Sequence, residues 1–126
     1  MASDPERAML MYAEMASIAA RKQQMIGRDR FLVLAGAAAT RAGWPDIAER
    51  CRDLIAARAP RHVIAQHRSF AEALRDEEFA PFLRQTERFC SPERAEHLLS
   101  EMAIALPEPR SGESTGDLAR ALLRSL

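Results

Sequence analysis

The three histidines of this 126-residue chain are the side chains best suited to acid–base chemistry or metal binding. Glu93 precedes His97 by four residues, a spacing at which two ligands on one helix can share a metal ion. The paired Glu-x-x-His motifs of di-iron bundles are absent from the sequence. His67 falls on a predicted apolar stripe, as a core or boundary histidine would, whereas His62 and His97 are expected at the surface. We therefore predict no metal site and no cofactor.

The cysteines and one acidic segment are the other candidates for chemistry. Cys51 and Cys90 lie far apart, and neither belongs to a Cys-x-x-Cys pair, so they indicate neither a disulfide framework nor a zinc site. Cys90 precedes a helix start predicted at Ser91, a setting that can lower the pKa of a thiol, but no neighbouring base is identified. The acidic segment 75–79 lacks EF-hand spacing and is interpreted as a solvated turn. We predict two buried cysteines and no catalytic residue.

Basic and acidic residues are balanced, with 18 of each, so the formal net charge is zero. No block of five or more like charges occurs, and we therefore expect no nucleic-acid partner. The longest apolar run, 31–39, is much shorter than the roughly 20 residues that cross a bilayer. The N-terminal segment carries Asp4, Glu6 and Arg7, unlike a secretion signal. We expect no membrane association and a cytoplasmic location.

The composition, with 48% hydrophobic residues and only five glycines, favours an all-α fold of about six antiparallel helices in hairpins. Prolines mark several helix starts, because a residue in the first turn has no intrahelical partner for its N–H. These starts and the apolar periodicity predict helices over 5–25, 29–42, 45–58, 60–75 and 92–106, and one more that begins at Glu77 or Pro81. The helix 29–42 is apolar on nearly all sides and is expected to be central.

The composition changes after Leu106, where the segment PEPRSGEST is rich in proline, serine and glycine. We therefore predict one helical domain over 1–106, followed by a flexible linker and a short amphipathic tail helix over 107–126. Leu118, Leu122 and Leu123 share one side of the tail helix. Helices of about ten residues are unstable alone, so the tail must dock on its own domain, dock on a partner, or fray.

Small residues in the segment 29–60 follow the pattern of a known helical hairpin. Gly43 lies where that pattern turns between its helices, and four further positions agree with it: Leu32, Gly36, Ala48 and Pro60. The segment resembles a tetratricopeptide repeat (TPR). The resemblance implies antiparallel helices that approach closely at Gly36 and Ala48. A shift of 32 residues aligns a less regular second unit.

The segment also departs from the repeat, since Ala39 and Arg52 replace aromatic residues of the pattern. Peptide-binding members of the family often hold a carboxylate with basic and amide side chains on the first helix. The resemblance places Val33 and Ala37 at those positions and leaves Arg41 as the basic residue. A groove at this face would be mostly apolar.

These patterns favour a non-enzymatic protein–protein interaction or adaptor module, which binds a protein segment or a second copy of itself. Met9 and Leu10 lie off the main apolar stripe of the first helix and could form an exposed patch. Trp44, the only tryptophan, either packs at the end of the hairpin against Ile47 or Ala48 or stands at the rim of a binding surface. The predicted interaction surface comprises Met9, Leu10, Val33, Arg41 and Trp44.

The alternative function is a small helical-bundle enzyme or metal-binding protein that uses His67, His97 and a nearby carboxylate. Such a site would bring two histidines and a carboxylate within about 5 Å of one another around a pocket. A helix-turn-helix DNA-binding protein is disfavoured, because the helix 45–58 mixes acidic residues with its arginines.

Overall fold

The computed structural model describes residues 4–126, which form seven α-helices and one 3₁₀-helix and contain no strand. The predicted all-α class is confirmed, and six of the α-helices have ten residues or more. The elements in chain order are α1 (Pro5–Arg21), α2 (Met25–Ala42), α3 (Pro45–Arg58), the 3₁₀-helix (Val63–Gln66), α4 (Phe70–Leu74), α5 (Ala80–Phe89), α6 (Pro92–Glu101) and α7 (Thr115–Arg124).

Two helix starts behave as the sequence predicted. Gly43 ends α2 in the left-handed conformation, with a φ of 84°, and Pro45 then begins α3. Pro81 lies in the first turn of α5, which agrees with the later of the two starts predicted for that helix. The turn between α2 and α3 therefore forms where its glycine and proline residues predicted it.

The boundary between α1 and α2 differs from the prediction, because α1 is about one turn shorter and α2 about one turn longer. Gln23 takes the left-handed conformation, with a φ of 57°, and the N–H of Gln24 donates to the carbonyl of Ala19 at 2.9 Å. This hydrogen bond closes the last turn of α1, as a C-terminal cap does. Gly27, which falls between the predicted helices 5–25 and 29–42, lies inside α2.

The helix predicted over 60–75 is wrong, since the chain forms the 3₁₀-helix and the short α4 there. The His62 side chain accepts a hydrogen bond from the N–H of Ile64, and the Ser69 side chain accepts one from the N–H of Glu72. Each bond caps a new element, so Pro60 is followed by a turn instead of a helix.

Arg52 of α3 stabilises the interruption between these two elements. Its guanidinium group donates to the carbonyl of His67 at 2.6 Å and to the carbonyl of Ala65 at 3.3 Å. A continuous helix would use those carbonyls internally, so the side chain of another helix substitutes for the lost backbone bonds.

α6 also ends before the predicted residue 106. Ala103 takes a positive φ of 56°, and the N–H of Ile104 donates to the carbonyl of Leu99 at 2.9 Å. The chain turns away from the helix axis there.

α1 and α2 are the centre of the fold. The segment 9–19 of α1 is buried on all sides, although its pattern predicted one buried face, because α2, α6 and α7 pack around it. The central position predicted for α2 is confirmed, since its residues from Arg28 to Ala39 are buried except Arg30.

Gly36 allows a close approach of the Phe70 ring, which comes from α4. A Cβ atom at Gly36 would overlap the ring of Phe70 in α4, and Phe70 is itself 1% exposed. Gly36 thus accommodates an aromatic side chain from α4.

The tail helix α7 docks on its own domain, one of the three outcomes that the sequence left open. Ser114 and Asp117 form a capping box at its start. Ala119 and Leu123 are fully buried, and α7 contacts α1 and α3. Two residues of the hydrophobic core therefore come from the tail segment. None of the described helices has the length and apolar character needed to span a bilayer.

Candidate functional site

Two large apolar side chains are exposed among the described residues, and both border the same pocket. Ile26 is 67% exposed and Phe89 is 37% exposed. Both border a cavity of about 380 Å³, which we call the Ile26–Phe89 pocket. The start of α2, the end of α3 with the following turn, and α5 supply its lining residues, which are Ile26, Asp29, Arg30, Arg58, His62, Phe82, Gln85, Thr86 and Phe89.

Aromatic rings form the apolar wall of the pocket. The Phe89 ring lies 5.3 Å from the Phe31 ring, centroid to centroid, and the Arg30 guanidinium lies 4.9 Å from the Phe89 centroid. A cation over an aromatic face is attracted by the ring electrons. Phe82 is half-buried and packs 5.5 Å from the Phe79 ring. These contacts hold both wall residues in position.

A buried ion cluster supports the polar side of the pocket. Asp29 is 3% exposed, and its Oδ1 atom accepts hydrogen bonds from Nε and Nη2 of Arg28 at 3.1 and 3.0 Å. Its Oδ2 atom accepts from Nε of Arg58 at 2.8 Å and also from Nη2. Arg28 donates as well to the carbonyl of Leu54 at 3.0 Å, which ties α2 to α3. The buried carboxylate therefore fixes the half-exposed Arg58 on the pocket wall.

His62 lines the same pocket and has one ring nitrogen that carries a proton. Its Nδ1 atom accepts the N–H of Ile64 at 3.1 Å, so the neutral ring carries its proton on Nε2. The pKa of His62 lies below its ordinary value of 6.5, mainly because the ring is partly buried. The ring packs edge-on against Phe82, with centroids 5.6 Å apart. At neutral pH, His62 is thus an uncharged donor.

Three residues predicted on the interaction surface are buried instead. Met9 and Val33 are 0% exposed, and Leu10 is 5% exposed. The structure corrects the expected apolar patch on the first helix, because α6 and α7 pack against α1. Val33 lies in the buried middle of α2. Helical periodicity does not show which helices will cover the side chains that lie outside the main apolar stripe of α1.

Arg41 is exposed, as a surface residue should be, and forms an ion pair with Glu87 at 3.4 Å. It borders a second cavity of about 290 Å³. Ala37 and Ala38 line this cavity, and their short side chains leave space between the helices.

Trp44 is partly buried and packs on the tail helix. A Cβ atom at Gly116 would lie 2.7 Å from the Trp44 ring, so the ring rests directly on the α7 backbone. The Arg120 guanidinium lies 5.1 Å from the ring centroid. The indole Nε1 is enclosed and has no hydrogen-bond partner within residues 4–126. Trp44 joins the start of α3 to α7.

The histidines do not converge on one site. His67 uses Nδ1 on the carbonyl of Val63 at 3.1 Å and Nε2 on Asp76 at 3.0 Å. His97 is exposed and pairs with Glu101 at 3.3 Å. Over the described part of the chain, no three His, Cys, Asp or Glu side chains are grouped to hold a metal ion. The cluster that the alternative function requires is therefore not formed by these residues.

Both cysteines are buried, as predicted. Burial raises the pKa of the Cys51 thiol to about 12, and burial also raises the pKa of Cys90. The Tyr12 hydroxyl donates to the backbone carbonyl of Cys90 at 2.8 Å. These thiols remain protonated at neutral pH and act as small core side chains.

Sequence periodicity does not single out the Ile26–Phe89 pocket. A helix predicted to begin at Asp29 leaves Ile26 in a loop, and Phe89 falls on the predicted apolar stripe of its helix. The actual start of α2 at Met25 places Ile26 and Arg30 one turn apart on one face. The pocket could have been predicted only if the sequence had indicated a helix start at Met25 instead of Asp29.

Comparisons with known protein families, curated proteins and solved structures give no match for this chain. Its fold and site therefore define the class: an all-α domain with a pocket that combines exposed apolar and basic side chains. The TPR resemblance stays a prediction, carried by the residues of the segment 29–60.

Proposed function

We propose that this protein is a non-enzymatic interaction or adaptor module, TPR-like in its α2–α3 hairpin, that binds a segment of a partner protein at the Ile26–Phe89 pocket. The observation that carries the proposal is the location of both exposed large apolar residues on one cavity. Apolar surface that is gathered at one place is characteristic of sites that bind other proteins. A pocket for one or two anchor side chains suits a peptide segment.

The polar groups of the pocket favour binding over catalysis. Its one hydroxyl group, on Thr86, donates to the carbonyl of Phe82 at 2.9 Å. Its carboxylate, on Asp29, is occupied by two arginines. His62 therefore has neither an activated nucleophile nor a free carboxylate beside it, which acid–base catalysis of acyl or phosphoryl transfer would use.

The test compares partners of the wild-type protein with those of the Ile26→Asp variant by proximity labelling in the cell of origin. Ile26 is exposed and lies in the first turn of α2, where a carboxylate suits the helix dipole, so the variant is expected to fold normally. Ala121→Asp is the matched control, because it adds the same charge at an exposed position of α7.

A partner protein that is lost in Ile26→Asp and kept in Ala121→Asp supports the proposal. An identical set of labelled proteins for wild type and Ile26→Asp contradicts it. Sedimentation of the purified chain covers the remaining case: a dimer that Ile26→Asp dissociates would make a second copy of this chain the partner.

A further inference from the structure

The side chains that line the Ile26–Phe89 pocket offer many hydrogen-bond donors and few free acceptors. Both oxygens of Asp29 accept hydrogen bonds from Arg28 and Arg58. The Thr86 hydroxyl is bound to the backbone of its own helix. Among the lining side chains, the polar groups that remain free are mainly N–H groups, with the Gln85 amide adding both a donor and an acceptor. A ligand that supplies acceptors fits this arrangement.

The pocket also carries more positive than negative charge. Arg28, Arg30 and Arg58 lie at or beneath its wall with one carboxylate, Asp29, so three positive charges and one negative charge leave two positive charges. The Arg30 guanidinium lies over the Phe89 ring and forms no ion pair within the described residues. A basic ligand would be repelled, and an acidic ligand would be attracted.

Arg58 is held in a geometry in which it can donate a hydrogen bond to a second carboxylate. Its Nε and Nη2 atoms donate to Asp29, which leaves Nη1 available, and its side chain is 39% exposed. Because Asp29 already restrains the guanidinium, binding of a second anion costs little additional side-chain entropy. His62 lines the same pocket, and its neutral ring is an uncharged donor at Nε2.

We infer, resting on the proposed function, that the partner segment is acidic and apolar. An Asp or Glu carboxylate of the segment binds Arg58 and Arg30, and a neighbouring large apolar side chain packs between Ile26, Phe82 and Phe89. Charge complementarity selects this occupant. The apolar wall and the donor groups line one cavity, so adjacent side chains of a short peptide reach both.

The experiment uses short peptides and the full, isotope-labelled chain, with backbone amide shifts followed by NMR. The probe is a peptide with blocked ends and the core Phe-Asp-Glu-Leu. One comparison peptide has the core Phe-Asn-Gln-Leu, which keeps the shape and removes the charge. A second has the core Ala-Asp-Glu-Ala, which keeps the charge and removes the apolar side chains. The small acid 3-phenylpropanoate is the fourth probe.

We expect the acidic apolar peptide to shift amides in three segments, 26–30, 58–62 and 82–89. Each comparison peptide should bind about tenfold more weakly, because a charge-assisted bond or an apolar contact is lost. Higher salt should weaken the acidic apolar peptide and leave the Phe-Asn-Gln-Leu peptide unchanged.

Substitution in the protein separates charge from fold. Arg30→Gln should weaken the acidic peptide several-fold and change the uncharged peptide much less, because Arg30 is exposed, its loss leaves the ion cluster intact, and Phe31 still packs against Phe89. Arg84→Gln is the matched control: Arg84 is exposed on the same helix as Phe89 but does not line the pocket, so binding should not change.

Three results would overturn the inference. The first is equal binding of the charged and uncharged peptides, and the second is an absence of shifts in the three segments at millimolar peptide. The third is 3-phenylpropanoate binding as tightly as the peptide, which would make this a small-molecule site. If Ile26→Asp removes a cellular partner while acidic peptides fail to bind, only the acidic chemistry falls. If acidic peptides bind and no Ile26-dependent partner exists, only the proposed function falls.

Discussion

Gly36 shows how a single side chain sets the approach of two elements. The Phe70 ring occupies the space in which any larger residue would place its Cβ atom. Phe70 is 1% exposed, so the packed core leaves it little room to move. Gly27 lies in the same helix, but a Cβ atom there would meet nothing within 4 Å. The two glycines of α2 therefore have different reasons to be glycine.

We expect Gly36→Ala to lower the free energy of unfolding by about 1 to 3 kcal/mol, the usual cost of overpacking a core. Gly27→Ala is the matched control and should raise it by about 0.5 to 1 kcal/mol, because alanine favours a helix interior and fits the open space. Urea unfolding followed by circular dichroism measures both. Equal effects of the two substitutions would contradict the close contact with Phe70.

Asp29 is the residue on which the ion cluster depends. Asp29→Asn leaves Arg28, a 5% exposed cation, without its counter-charge, and we expect a loss of about 3 kcal/mol in the free energy of unfolding. Asp53→Asn is the control, since Asp53 is exposed and pairs with Arg52 at 3.5 Å, and it should change stability by at most about 1 kcal/mol. Thermal and urea unfolding of both variants give the comparison. A similar small effect for both would show that the cluster is not needed for stability.

The position of the helix α7 in the fold depends on contacts with distant residues more than on its own sequence. Its start is specified locally by the Ser114–Asp117 capping box. Its position depends on distant partners: Arg120 donates to both oxygens of Asp46, at 2.7 and 3.2 Å, and Trp44 rests on Gly116. The only tryptophan of the chain therefore reports whether α7 is docked.

We expect Leu123→Ala to destabilise the docked tail by about 2 to 5 kcal/mol, because it opens a cavity at a fully buried site. If that loss undocks α7, the Trp44 fluorescence should shift to longer wavelength as the ring becomes hydrated. Arg124→Ala, at the exposed next position, is the control and should leave both stability and emission unchanged. Unchanged emission together with unchanged stability in Leu123→Ala would show that α7 is not held through this contact.

The fold is organised around α1 and α2, whose middle segments are buried, and several surface carboxylates form local hydrogen bonds. Three aspartates have a pKa below the usual value of 3.8: a hydrogen bond from Arg120 lowers that of Asp46, one with His67 lowers that of Asp76, and bonds at Ser114 lower that of Asp117. The unfolded chain therefore binds protons at these groups before the folded chain does. Their stabilisation is complete above the usual pKa and decreases as the pH falls below it.

We predict that the free energy of unfolding decreases as the pH falls, in two ranges. Because burial lowers the pKa of His62, a first decrease begins below about 6.5, the ordinary pKa of histidine. The aspartates cause a second decrease below their usual pKa of 3.8. Urea unfolding across this pH range measures the effect, and His62→Gln should remove the first decrease alone. A stability that is independent of pH over both ranges would contradict these assignments.

Features that depend on neighbouring residues could be predicted from the amino-acid sequence alone. The all-α class follows from composition, and the α3 start follows from Gly43 and Pro45, because turn and cap chemistry acts over a few residues. The burial of both cysteines was also predictable from their residue type.

Features that depend on contacts between distant residues could not be predicted in this way. Arg52 stabilises the break that periodicity alone reads as a helix over 60–75, and packing by α6 and α7 buries Met9 and Leu10. The Ile26–Phe89 pocket exists only because α3 brings Arg58 to the start of α2 and α5 brings Phe89 there. A local pattern shows which side chains are apolar or charged, but the free energy of burial depends on which elements meet, and that is fixed only when the chain folds.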